Sequence, residues 1–158
     1  MTPLTTLEFT IRFAHDTLTE FMSSHGFDVT KHYLGLETAW KAEFTQGKGG
    51  RVVGVNSEMD ALPGIGHGCG HNLIAISGVG IALAIKTALQ THNIPGKVIL
   101  LGTPGMKFPL GLQDATDLRC AAEEGGGGKA ILLQRGGYKE MDVCLMSALP
   151  LPLIILVG

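Results

Sequence analysis

The chain has 158 residues, 45% apolar and only 16% charged, with a net charge of −2. That length holds one domain with a sizeable core, and the apolar share excludes a disordered chain. The near-neutral charge excludes the electrostatic footprint of a nucleic-acid binder or of a protein held on an anionic membrane.

In chain order, Leu7–Ser23 places apolar residues at a helical period and predicts an amphipathic helix, closed by Gly26. "FDVTKHYL" alternates and predicts a strand; "LETAWKAEF" predicts its hairpin partner across "GL". "GRVVGVNSEMDA" is a β-branched run, hence a buried strand that ends at Asp60. "HNLIAISGVGIALAIKTALQTHN" predicts a long apolar helix whose small residues suit close packing on a sheet. "GKVILLGTP" predicts another buried strand, "GGKAILLQRGGY" a helix and "MDVCLM" one more strand. Strands alternating with helices predict an α/β layered fold, with ligands at the carboxyl ends of the strands. Trp40 and the phenylalanines read as core, and Cys144 as a packed core thiol.

The residues that carry chemistry cluster in "DALPGIGHGCGHN". His67, Cys69 and His71 recur at every second position, so an extended, turning segment can aim them at one point. Imidazole and thiolate are good zinc donors, and the intervening glycines let the backbone curl around an ion. The competing reading is a glycine-rich turn with incidental histidines. Three candidate ligands in five residues favour the metal. Asp60, at the strand end, can bridge or orient such ligands. Glu123 and Glu124 are adjacent carboxylates: one can ligate a metal while the other acts as general base. Taken alone, that pair reads as an acidic helix start. "GGGGKA" does not make a phosphate loop, because Glu123 stands at the first glycine and Ala130 at the Ser/Thr. His15, His25, His32 and His92 read as surface or capping residues.

"SEMDALPGIGHGCGHNLIA", "GKVILLGTP", "AEEGGGGK" and "MDVCLM" together resemble the amidohydrolase branch of metallopeptidase family M20, nearest to its Xaa-Arg dipeptidase and aminobenzoyl-glutamate hydrolase types. The resemblance implies a two-metal hydrolase of amide or peptide bonds, using zinc or manganese, with a small dipeptide or N-acyl amino acid as substrate. It implies an α/β/α sandwich with a mixed sheet, interrupted in the family by a smaller dimerisation domain. By motif position, Cys69, His71 and Glu124 resemble metal ligands, Glu123 the general base and Asp60 the second catalytic carboxylate. His67 falls at a motif position beside the ligands.

The chain departs from the pattern in three ways. Gly105–Ala121 intervenes where "GTP" should run into "AEEGG". Back-translated, it permits a donor, branch site and acceptor, the signature of a retained, in-frame intron of the short fungal kind. After "DVCLM" the expected His-Pro segment is replaced by "SALPLPLIILVG", with Ala148 near the histidine position. The start looks late, and the rest of the catalytic domain and the dimerisation domain are missing. The expectation is therefore a partial catalytic domain over 1–146 with an apolar tail over 147–158, unstable and inactive as written. The alternative is a non-catalytic fragment that binds metal weakly or contacts a partner. Three cysteines, an odd number, with no signal peptide predict reduced thiols and a cytoplasmic location.

Overall fold

The computed structural model describes residues 6–61, 67–68, 70–104 and 128–147. The elements in order are α1 (Thr6–Ser24), β1 (Asp28–Lys31), a 3-10 turn (Tyr33–Gly35), β2 (Trp40–Gln46), β3 (Arg51–Glu58), α2 (His71–Thr91), β4 (Gly96–Thr103), α3 (Gly128–Gln134) and β5 (Val143–Met146). The strands form one mixed sheet in the order β1-β2-β4-β3-β5. β2 runs antiparallel to β1 and to β4, while β3 is parallel to both β4 and β5.

β4 lies in the middle and is the most apolar strand. Val98, Ile99, Leu100 and Leu101 are all fully buried, as expected of a strand covered on both faces. Val98 and Leu100 meet Trp40, Ala42 and Val55 beneath Leu18 and Met22 of α1 and Ala75, Val79 and Ala82 of α2. The opposite face carries the return from α3: the Tyr138 hydroxyl donates to Asn56 Oδ1 at 2.9 Å, and Glu140 pairs with Lys41 and Lys97. Two helices thus pack on one face and the segment from α3 onward on the other, a mixed sheet with helices in line with the α/β/α sandwich that the family resemblance implies. α2 is long and apolar enough to cross a bilayer by length and composition. One side of it, from Ile74 to Ala82, is nevertheless buried in the manner of a core helix.

Several local expectations are corrected. The first strand ends at Lys31 rather than reaching Leu34, because His32 and Leu34 adopt left-handed backbone (φ 53° and 52°) and turn the chain. Tyr33 N–H then donates to the Ala39 carbonyl, so the hairpin closes over a longer connection than "GL". His15 is buried, not at the surface: its Nδ1 lies 2.8 Å from Asp16 and its ring stacks on His32. Cys144 is exposed rather than packed, because β5 pairs on one side only among the described strands. Phe13 and Phe21 are also exposed, on the outer side of α1, whereas Trp40 and Phe27 are core as expected.

Candidate metal centre

The parallel strands β3 and β4 end on the same side of the sheet, and the β3–α2–β4 crossover begins there. Two residues past β3 stands Asp60, and α2 starts at His71. Gly70, just before the helix, has φ +70°, a left-handed conformation that glycine adopts without the penalty of a side chain. Its carbonyl accepts from Leu73 and Ile74, so the helix closes tightly and points its first side chain back at the strand end.

The result is a defined pair. His71 Nδ1 lies 2.8 Å from Asp60 Oδ1, with side chains 22% and 21% exposed. On the other side of the ring, His71 Nε2 faces Glu58 Oε2 at 3.4 Å, and the second oxygen of Glu58 is paired with Lys129 Nζ. The hydrogen bond with Asp60 raises the His71 imidazole above its ordinary value; burial opposes this, the charges of Asp60 and Glu58 support it, and Lys129 opposes it. A carboxylate on one ring nitrogen fixes the tautomer and orientation of the ring and leaves the other nitrogen for an ion, as around metal-bound histidines.

Below this layer the strands are cross-linked. Asn56 Nδ2 donates to Thr103 Oγ1 at 3.2 Å and Thr103 Oγ1 to the Ser57 carbonyl at 3.3 Å. Ser57 Oγ donates to the Ala75 carbonyl at 3.0 Å, tying β3 to the start of α2. At the opposite end of β3, Asp142 accepts from Val52 N–H at 2.7 Å and from Arg51 at 3.0 Å, which seats the entry to β5.

Of the sequence-derived site residues, Asp60 and His71 are brought together. His67 lies in a bend with an exposed side chain, its carbonyl accepting from Gly70 N–H at 2.9 Å. Cys69, Glu123 and Glu124 lie outside the described residues, as do Gly105–Ala121 and Ala148. Among the described residues, no three His, Cys, Asp or Glu side chains form a group that could hold an ion. The donor chemistry fits a divalent metal nonetheless: an oriented imidazole stands 3.4 Å from a buried carboxylate. Sequence reasoning misses Glu58 and Lys129. Glu58 and Asp60 stand two apart at the end of a buried strand, a signal that could have found the first. Lys129 enters the sequence pattern only as a candidate phosphate-loop lysine.

No family model matches the chain. Curated relatives do. The chain is 39% identical over 145 residues to the Xaa-Arg dipeptidase of Mus musculus, an alignment that covers 85% of this chain and 30% of that protein. It is 36% identical over 149 residues to the Homo sapiens Xaa-Arg dipeptidase, with the same two coverages. It is 30% identical over 145 residues to a component of the Escherichia coli p-aminobenzoyl-glutamate hydrolase, covering 81% of this chain and 26% of that one. The chain therefore spans less than a third of the length of the curated relatives it matches. Among solved structures, a dinuclear metal-binding M20 peptidase from Bacillus subtilis superposes with a TM-score of 0.58 at 18% identity, over 87% of this chain and 41% of that one. An aminobenzoyl-glutamate utilization protein from Klebsiella pneumoniae gives 0.53 at 16% identity, over 86% and 38%. These relatives and this sheet support an M20 amidohydrolase-type family for the matched part of the chain.

Proposed function

We propose that the chain carries part of the metal centre of a metal-dependent amide or peptide hydrolase, of the dipeptidase or amidohydrolase type, and that residues 1–158 as written do not turn over. The observation that carries the reading is the Asp60–His71 pair at 2.8 Å, which fixes the imidazole with Nε2 turned away from its partner. His71 and Cys69 would hold the ion together with Glu124. The imidazole, thiolate and carboxylate donor set favours zinc, with manganese as the alternative. A divalent ion bound there supplies Lewis acidity for the scissile carbonyl and the attacking water. Asp60 accepts the Nδ1 proton of His71 and keeps the tautomer. Glu123 takes a proton from the attacking water and returns it to the leaving amine. The substrate class is a small dipeptide or N-acyl amino acid, and the odd cysteine count supports a cytoplasmic location.

The expected inactivity rests on Gly105–Ala121, which separates β4 from the Glu123–Glu124 pair, and on Ala148 in place of a ligating histidine. Misplacing a catalytic group by about 1 Å costs about a hundredfold in rate. Sequencing the transcript across Pro104–Ala122 and beyond Met146 tests whether the insert is a retained intron. For the protein itself, purified chain 1–158 is incubated with zinc or manganese and dipeptides ending in arginine or lysine, or with aminobenzoyl-glutamate. No release of amino acid above the blank is expected, alongside measurable metal binding. Sustained hydrolysis would overturn the claim of inactivity, and failure to bind either metal would overturn the metal reading. A second reading, a non-catalytic fragment that contacts a partner, is favoured by the exposed Leu73 and Ile76 on α2 and Val143 and Leu145 on β5.

A further inference from the structure

We infer that Glu58 is itself a donor to the metal, with Lys129 balancing its charge in the absence of the ion; the inference rests on the metal-hydrolase reading of the same site. His71 offers an ion only one nitrogen, since Asp60 engages Nδ1 at 2.8 Å. The group that faces the remaining nitrogen is Glu58, with Oε2 at 3.4 Å from Nε2. That gap is longer than the roughly 2.7–3.2 Å of an N–H···O hydrogen bond. It matches the edge of a tetrahedral shell, in which two donors each about 2.1 Å from one ion stand about 3.4 Å apart. Imidazole and carboxylate are therefore spaced as two ligands of one ion.

The surroundings agree. The Glu58 side chain is only 12% exposed, and a buried carboxylate needs a counter-charge. Lys129, in the first turn of α3, supplies it by pairing with the oxygen that His71 does not face. Lys129 Nζ also lies 3.7 Å from Met146 Sδ, so the ammonium is seated between β3 and β5. Glu58 Oε2 is the atom left facing His71 Nε2. Asp60 cannot take this part, because its hydrogen bond sets the ring from the opposite side.

The test is zinc affinity of the full 158-residue chain, measured by competition with a chromophoric chelator, with cobalt absorption as a readout of the donor set. The variants are Glu58→Gln, Lys129→Met and His71→Ala. Glu58→Gln and His71→Ala are each expected to weaken zinc at least about tenfold, the loss typical of disturbing a metal site's donors or their partners. Glu58→Gln is also expected to alter the visible cobalt bands. Lys129→Met is expected to retain or tighten binding, because it removes the competing charge and leaves the donor. If Glu58→Gln binds like the parent while His71→Ala is weakened, the inference falls and the metal reading stands. If Glu58→Gln and Lys129→Met lose affinity equally, Glu58 is only a strut for α3 and the inference falls. If the parent binds no zinc, or His71→Ala changes nothing, the reading of the site falls with it. Should Glu58→Gln not fold, the parent answers alone: zinc must shift the Glu58 carboxyl carbon resonance, and an unshifted signal overturns the proposal.

Discussion

Tyr138 shows how a single side chain joins the layers. Its hydroxyl donates to Asn56, which in turn donates to Thr103, so one phenol ties the α3 side to β3 and β4. Burial first, then the charges of Cys144 and Glu58, push its hydroxyl up to about 12. An unfolded tyrosine titrates at about 10. The folded state therefore holds the proton more tightly. Its contribution is fully present below about pH 10 and is lost as pH rises through about 12. Tyr138→Phe is expected to cost about 0.5–1.5 kcal/mol at neutral pH for the missing hydrogen bond. It should also flatten the alkaline fall in stability, which urea midpoints between neutral and strongly alkaline pH will show. At this scale the site was half legible. Asp60 and His71 lie within one continuous motif, just past the end of β3 and at the start of α2. Glu58 and Lys129 meet only because α3 returns to the end of β3, a meeting that no local pattern announces.

Between elements, the decisive contact is α2 on β3. Gly78 lets the helix approach so closely that an added Cβ would stand 3.1 Å from Ser57 Cβ and 3.3 Å from a Leu100 methyl. Ser57 uses the same approach to reach the Ala75 carbonyl. Gly78→Val is expected to overpack this seam and cost about 1–3 kcal/mol, measured by chemical denaturation. Because α2 also carries His71, the same variant is expected to weaken the metal binding proposed for that residue. The small residues of α2 made this close packing legible in advance. The early end of β1 was not legible. The segment that predicts the strand extends to Leu34, but the backbone at His32 has already turned left-handed, and the chain is held there by the Tyr33–Ala39 bond and by Arg135 on the Leu34 carbonyl.

Across the whole molecule, the layered α/β sheet followed from the order of strands and helices, because buried apolar runs such as β4 need cover on both faces. Which surfaces stay open did not follow, since exposure depends on what packs outside each element. β5 has one paired edge among the described strands, and Val143, Leu145 and Met146 are exposed there, with Leu73 and Ile76 on α2. Unpaired edges and apolar patches of this kind promote association. The purified chain is expected to sediment beyond a monomer at micromolar concentration and to bind a hydrophobic dye. Leu145→Lys should shift it toward the monomer. The ion pair between Lys129 and Glu58 has a further consequence in time. Asp60 and His71 are 11 positions apart and emerge together during synthesis. Lys129 follows His71 by roughly 3–12 s at the usual rate of about 5–20 residues per second. A nascent chain thus presents Glu58, Asp60 and His71 before their competing ammonium exists, and an ion that arrives in that interval meets an open carboxylate.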